Sequence, residues 1–455
     1  MLKIINPATE EVIKEVDEDN VTSIQEKFKK AKLAQIEWSK RSIESRINIL
    51  KTFRNLLVER RVALAETLTL EVGKPITQSN NELKGVLDRI DFLTSSAAKT
   101  VETEIVFNEN GMLEQISHEP LGVIANISAW NYPYLVGANV FVPALITGNA
   151  VLYKPSEFST LTGLEIARAL HDAGVPKDVF MVLVGSGVVG SELLKLPIQG
   201  VFFTGSYATG KKINEAVASK LIKVQLELGG KDPTYVCDDV NVEIAATSTA
   251  DGAFYNNGQS CCSVERIYVH EKIYDKFVDC FVKEVKGFVV GAPTDPKTYI
   301  GSLARPAQIE VLEKQVLDAK AKGAILHCGG KRREGRGAYF EPTVFSNVDH
   351  SMLVMRDESF GPIIGIQKVT SDDEAIKLMN DTQYGLTAGI YTLNETRAKS
   401  ILEKINSGTV YWNCCDRVSP RLPWSGRGHS GIGLTLSTYG IKTFTQPKGW
   451  HLKSG

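Results

Sequence analysis

No apolar, charge-free stretch in this chain is long enough to span a bilayer, and its start, Met-Leu-Lys-Ile-Ile-Asn-Pro, lacks the uninterrupted apolar core of a signal peptide. Neither a membrane role nor a signal-led secreted protein is expected. Neither charge is in excess: 52 Lys and Arg stand against 53 Asp and Glu, with no long basic run. A nucleic-acid binder would show a basic surplus, so that class is set aside. Cysteine is scarce, seven residues, an odd number that includes two adjacent pairs. CxxC spacing and a histidine at a zinc-like interval are both missing. A disulfide framework and a metal site are therefore not expected, and reduced thiols make the compartment cytoplasmic. Internal repeats and low-complexity segments are missing as well.

What is present is an ordinary globular composition, 43% hydrophobic and 23% charged over 455 residues. That suffices for a substantial core and suggests roughly three domain-sized units. Between about residues 20 and 100 apolar side chains such as Phe28, Ala31, Trp38, Ile47 and Leu50 recur at helical spacing, broken by Gly73-Lys74-Pro75. From about Leu121 short apolar strands, near 122–127, 149–153, 179–184 and 200–203, alternate with helices near 161–173 and 209–220. A second set follows Leu228, with strands at 234–237 and 266–269 and helices at 242–254, 274–285, 306–322, 373–380 and 395–404. Alternation of this kind predicts βαβ units and parallel sheets covered on both faces. A glycine-rich loop over 421–433 leads to a final strand expected at 441–444.

Two segments carry chemistry. Phe254-Tyr-Asn-Asn-Gly-Gln-Ser-Cys-Cys-Ser-Val-Glu-Arg266 places a thiol just after a Gly-Gln pair. Upstream, Leu226-Glu-Leu-Gly-Gly-Lys231 sets one carboxylate, Glu227, among apolar residues, which raises its pKa and suits it to general-base work. A thiolate adds to an aldehyde carbon, the adduct loses hydride to a nicotinamide, and activated water releases the acid.

At these residues the sequence resembles the aldehyde dehydrogenase superfamily, and the resemblance covers nearly the whole chain. It implies an α/β fold of two parallel-sheet, Rossmann-like domains plus a small β arm for bridging and oligomerisation. Residues 1–100 and 121–226 would bind NAD(P), 227–430 would be catalytic, and 101–120 with 431–455 would form the arm. The motif selects Cys261 over its neighbour Cys262 as nucleophile and makes Glu227 the base. Asn131, in Ala129-Trp-Asn-Tyr-Pro133, would hold the oxyanion together with the Cys261 N–H. Keeping the glutamate argues for hydrolysis over transfer to coenzyme A.

The same resemblance implies NAD as cofactor, with NADP possible. Lys154 and Glu157, in Lys154-Pro-Ser-Glu157, would hold the adenosine ribose, with Ser156 and Trp130 in the same site. The Glu157 carboxylate repels a 2′-phosphate and so favours NAD. Gly205 and Ser206 precede a helix carrying Gly210 and would present N–H groups to the pyrophosphate. Gly185-Ser-Gly-Val-Val-Gly190 matches GxGxxG literally. It lacks the acidic residue about twenty positions on, so it is no standard dinucleotide fingerprint. The resemblance places Gly185 near the adenine instead. Glu358 and Phe360, in Glu358-Ser-Phe-Gly-Pro362, would take the nicotinamide ribose, and Asn413 matches a late asparagine without a firm role.

Departures matter too. Val140 stands where many members carry a proton-relaying lysine, so the proton must leave by another route. Asn139 and Tyr255 stand where members acting on succinic semialdehyde carry arginine. The expected substrate is an uncharged aliphatic or aromatic aldehyde in an apolar tunnel lined by Tyr134, Tyr255 and Trp424. A semialdehyde stays open through Arg417 or Arg421. An unpaired arm edge implies a homodimer or homotetramer. The rivals are a cysteine–histidine hydrolase, which would not need the cofactor residues, and a non-enzymatic use of the fold, which would not need Cys261 and Glu227.

Overall fold

The structure is a computed structural model and describes residues 1–454. Helix Val21–Ser39 starts where the Asn20 side chain takes the Ser23 N–H and the Ser23 hydroxyl takes the Asn20 N–H, a reciprocal cap. Its Ile24, Phe28, Ala31 and Trp38 face inward. Helices Ile43–Glu59, Arg61–Val72 and Ile76–Thr100 follow. The last two are separated at Gly73, whose φ of +74° suits only glycine there, because a Cβ would meet the Ser302 side chain and backbone.

These helices cover a six-stranded sheet ordered Gly431–Ile432, Lys223–Glu227, Gly200–Thr204, Val123–Ile127, Ala150–Lys154, Phe180–Val182. All neighbours are parallel except the first pair. The central strands are buried throughout, as parallel strands packed on both faces must be. A seven-stranded sheet follows in the order Ile325–Cys328, Thr343–Ser346, Ile363–Val369, Val264–His270, Asp232–Val236, Thr387–Tyr391, Thr409–Trp412, antiparallel only at the first pair. Each sheet has its own buried apolar cores. Glu227 closes a strand of the first sheet, and Cys261 lies just before a strand of the second. The site is therefore built where the carboxyl ends of one sheet meet the amino ends of the other, at the kind of crevice where α/β ligands bind.

Strand Met112–Pro120, half-buried, pairs with the exposed strands Glu104–Glu109 on one side and Thr445–Lys453 on the other, forming a third, antiparallel sheet. Two expectations need correction. Residues 441–444 are not a strand: helix Ser437–Thr443 comes first, and the strand begins at Thr445. Ile441 and Phe444 sit three apart on that turn of helix and both enter the first core, where Phe444 stacks on Phe202 at 4.4 Å. Residues 431–444 thus pack mainly with the first sheet, where strand Gly431–Ile432 pairs with Lys223–Glu227, while Lys442 reaches Glu104 of the arm at 2.9 Å. The N-terminal hairpin, Leu2–Ile5 with Val12–Val16, was not foreseen. No helix among the described residues is long and apolar enough to cross a membrane.

Candidate active site

Cys261 is carried by a loop whose backbone is held from several sides. Asn256, Asn257 and Gly258 all take left-handed conformations, with φ of 55°, 59° and 69°. Asn257 donates to the Ser302 carbonyl at 2.9 Å and accepts the Gly301 N–H at 2.7 Å. The Gln259 side chain accepts the Ala304 N–H at 3.0 Å. The Cys261 N–H donates to no protein acceptor among the described residues, which leaves it available to an oxyanion.

Asn131 is buried between the strand end at Ile127 and helix Pro133–Ile146. Its Nδ2 donates to the Gln259 carbonyl at 3.1 Å, so the amide is fixed two residues before Cys261, and its second hydrogen has no protein partner among the described residues. Its backbone carbonyl accepts from Lys74 at 2.6 Å and from Asn256 at 3.1 Å. Lys74, fully buried, also forms an ion pair with Glu82 and lies 3.9 Å over the Tyr132 ring. Glu82 in turn accepts the Tyr134 N–H at 2.9 Å. The sequence reading treated Gly73-Lys74-Pro75 only as a helix break, and a lone lysine there carries no signal of its distant partners.

Glu227 ends its strand with 5% exposure. Burial pushes its carboxyl up to about 7, against the opposing pull of the Thr435 hydroxyl and the charge of Arg89. Neither Thr435 nor Arg89 was anticipated. Cys262 is buried, and its thiol donates to Asp416 at 3.0 Å. Burial pushes Asp416 to about 6. The Cys262 thiol is driven upward by its bond with Cys261 and by burial, so it is a poor competing nucleophile.

Cys261 and Glu227 line one cavity of about 570 Å³ together with Tyr132, Tyr255, Trp424, Arg89 and Arg417. Two expectations fail here. Tyr134 does not line it: two residues beyond Tyr132, it begins a helix and is buried at 1% exposure. Nor does Arg421 line it; the wall is more apolar than polar, with Glu82, Asp88, Asp251 and Asp416 among its polar members. Val140 is buried in the core beside Phe141, away from the cavity wall.

Most of the residues expected at the cofactor lie at the carboxyl ends of the first sheet, while Glu358 and Phe360 precede strand Ile363–Val369 of the second. Lys154 closes strand Ala150–Lys154, donates to the Pro155 carbonyl at 3.1 Å and sits 3.8 Å from Glu157. Burial lowers its pKa, and Glu157 partly restores it. Ser156 caps the short turn Glu157–Ser159. Gly185, with φ +146°, opens the turn into helix Gly187–Lys195, and a Cβ on Gly190 would come within 3.5 Å of the Lys154 side chain. That glycine turn is therefore beside Lys154.

Ser206 caps helix Tyr207–Val217, two residues earlier than the sequence suggested, and Gly210 packs on Leu228. The Gly205 N–H donates to the Glu227 backbone carbonyl at 3.0 Å, joining this turn to that strand end. Trp130 meets Phe360 edge-on at 5.5 Å. The Glu358 carboxylate accepts only the Gly230 N–H, at 3.1 Å, and any Cβ on Gly229 would strike it. Burial first, and Glu265 second, push it up to about 8. Glu265 pairs with Lys231 at 2.6 Å and accepts the Ser359 and Phe360 N–H groups, holding Phe360 at a φ of +46°. Asn413 donates to the Thr392 carbonyl and accepts its N–H, a structural bond away from the cavity.

A dinucleotide fits this set on two counts. The N-terminus of an 11-residue helix is preceded by a glycine and a serine, as a pyrophosphate requires. The Glu358 carboxylate has acceptor capacity left unfilled by the protein, which ribose hydroxyls can satisfy.

Comparisons agree in every region. The chain is 34% identical to human retinaldehyde dehydrogenase 3 over 99% of its own length and 89% of that protein's. Its structure superposes on betaine aldehyde dehydrogenase from Staphylococcus aureus, solved in complex with NAD+, with a TM-score of 0.96 at 31% identity, covering 99% of this chain and 91% of that one. An NADP-dependent enzyme from E. coli gives a TM-score of 0.97 at 29% identity over 100% and 95% of the two chains. The sequence model described as the aldehyde dehydrogenase family matches residues 1–449, a span that takes in Cys261, Glu227 and the glycine turns together. With both sheets and nearly all of the sequence accounted for, the chain belongs to the aldehyde dehydrogenase family.

Proposed function

We propose that the protein oxidises an aldehyde to its carboxylic acid with reduction of NAD or NADP, through a thioester on Cys261 that is hydrolysed with Glu227 as base. The observation carrying this reading is that Cys261 and Glu227 open onto one cavity while the Gly205 turn is bonded directly to Glu227. Lys154, Ser156, Glu157 and Gly185 would hold the adenosine end, and Gly205, Ser206 and Gly210 the pyrophosphate. Trp130, Glu358 and Phe360 would hold the nicotinamide ribose. When bound, the dinucleotide supplies the hydride acceptor.

The Cys261 sulfur adds to the aldehyde carbon, and the carbonyl electron pair moves onto oxygen. The free hydrogen of the Asn131 amide and the Cys261 N–H receive that charge, each such donor being worth about 10²–10³ in rate. Loss of hydride leaves the thioester. Glu227 takes a proton from water as it adds to the thioester carbon, and Cys261 leaves as thiolate. No histidine lines the cavity, so a cysteine–histidine hydrolase has no base there. The expectation of an uncharged aldehyde rests on the apolar part of that wall, on which Arg89 and Arg417 also stand.

Residues 1–100 and 121–226 form the cofactor unit in this reading, with 227–430 supplying the nucleophile. The arm exposes Ile105, Val106, Phe107, Trp450 and Leu452. A second copy would cover its edge and apolar side chains, giving a homodimer or homotetramer, which light scattering after size exclusion reads directly. The test of function is nicotinamide reduction over a panel of aldehydes with NAD and NADP, for the wild type and Cys261→Ala. Turnover lost in the variant is the expected result. Tight cofactor binding without turnover of any aldehyde overturns the reading.

A further inference from the structure

Helix Ile76–Thr100 delivers Arg89 to the cavity that Cys261 and Glu227 line. The side chain is 6% exposed. A guanidinium has five N–H donors. Two of them, on Nη1, are used by the Leu135 carbonyl at 3.0 Å and the Asn139 side-chain oxygen at 2.6 Å. The other three, on Nε and Nη2, have no protein acceptor among the described residues, neither nitrogen is fully buried, and Arg89 lines the cavity. A charge this deep is ordinarily paired.

The acids on the same wall are engaged elsewhere. Glu82 pairs with Lys74 and takes the Tyr134 N–H. Asp416 accepts from Cys262 and Ser260, Asp251 from the Tyr299 hydroxyl, and Glu227 from Thr435. Asp88 is exposed at the rim, as is Arg417, which adds a second guanidinium to the approach. Glu227 and Glu82 act on Arg89 through charge at a distance, without a hydrogen bond.

Nε–H and Nη2–H form one edge of the guanidinium, two roughly parallel donors that match the two oxygens of a carboxylate. A neutral substrate filling the cavity would leave these donors desolvated and unpaired. We propose that the aldehyde this enzyme takes carries a carboxylate at the end remote from its carbonyl, and that Arg89 binds that carboxylate. The assignment rests on Cys261-based aldehyde oxidation and names its substrate class. Asn139 and Tyr255, where arginine was looked for in the sequence, do not exclude an acidic substrate, because Asn139 holds an arginine delivered from another helix.

The test compares ω-carboxy aldehydes of four to six carbons with their methyl esters, for wild type, Arg89→Gln and Arg89→Lys. The wild type is expected to prefer the acids, mainly through KM. The acid-to-ester ratio of kcat/KM should fall about 10- to 100-fold in Arg89→Gln, the factor expected for lost charge-assisted hydrogen bonds. Arg89→Lys should restore part of it. Equal losses for acid and ester, or a wild type that prefers esters, overturn the assignment while leaving aldehyde oxidation standing. Failure of the wild type on every aldehyde overturns both.

A second measurement needs no variant. Glutarate should protect wild-type Cys261 from alkylation by iodoacetamide, and dimethyl glutarate should not. Equal protection by both, or by neither, counts against Arg89.

Discussion

The Lys74 ammonium donates to the backbone carbonyl of Asn131 at 2.6 Å, so a helix-linking lysine fixes the residue assigned to the oxyanion. The same ammonium is neutralised by Glu82, itself bonded to the Tyr134 N–H, so two segments far apart in sequence, 74–82 and 131–134, share one buried charge pair. Breaking such a pair from one side costs roughly 3–5 kcal/mol, because the remaining charge is left uncompensated. Lys74→Met should therefore lower the thermal midpoint and, by loosening Asn131, reduce kcat about 10²-fold. Lys74→Met/Glu82→Gln removes the orphan charge while keeping an acceptor for Tyr134. It should recover stability but not kcat. Recovery of both would show that Lys74 acts on folding alone.

The second prediction concerns pH. Glu227 can take a proton from water only when ionised, and its carboxyl titrates at about 7. Where thioester hydrolysis limits turnover, kcat should rise with pH through that value and level off above it. Glu227→Gln should remove the rising limb and cost about 10²–10⁴-fold. The Thr435 hydroxyl favours the ionised form, so Thr435→Val should move the limb upward by roughly one unit. A limb that stays in place in Thr435→Val would remove Thr435 from this role.

Much of this site was legible before any geometry. The helix expected at 242–254 has those ends in the structure, where the Asn241 side chain caps it. Cys261, Glu227 and the glycine turns stand out because their chemistry is written in contiguous residues. Arg89 and Lys74 do not, because what defines them is a partner far away in sequence, and pairing of that kind is a tertiary fact. The misread end at Ile441–Phe444 has a local cause: two apolar residues flanking Lys442 and Thr443 are too few to distinguish period 2 from period 3.6. Tyr134 was placed on the cavity for a related reason. Two residues apart across a helix start, Tyr132 and Tyr134 point to different sides, and only Tyr132 reaches the wall.

Cofactor choice gives the third prediction. Glu157 lies 3.8 Å from Lys154, with roughly a third of its side chain exposed at the proposed adenosine end. Its charge opposes a 2′-phosphate there, and Lys154 alone would attract one. Glu157→Gln should raise the NADP-to-NAD ratio of kcat/KM by about tenfold, equivalent to roughly 1.4 kcal/mol. An unchanged ratio would place the 2′-position away from Glu157.

Gly258 tests how tightly the nucleophile loop is built. Its φ is +69°, and a Cβ would lie 2.2 Å from the Gly361 carbonyl oxygen, so the loop touches the segment that carries Glu358 and Phe360. Alanine there meets two penalties. One is the left-handed backbone, about 1–2 kcal/mol for a residue with a Cβ. The other is a collision with backbone that cannot be relieved by rotating a side chain. Gly323 supplies the comparison: its φ is +87°, yet a Cβ would meet nothing within 4 Å. Gly323→Ala should lose only the backbone term and keep kcat. Gly258→Ala should lose more stability, reduce kcat at least 10²-fold by displacing Cys261 relative to Asn131, and weaken NAD binding through the Gly361 side of the contact. Calorimetry with NAD and a single-turnover assay separate these effects. Matching behaviour in the two variants would mean that the loop yields and that Cys261 does not depend on its contact with Gly361.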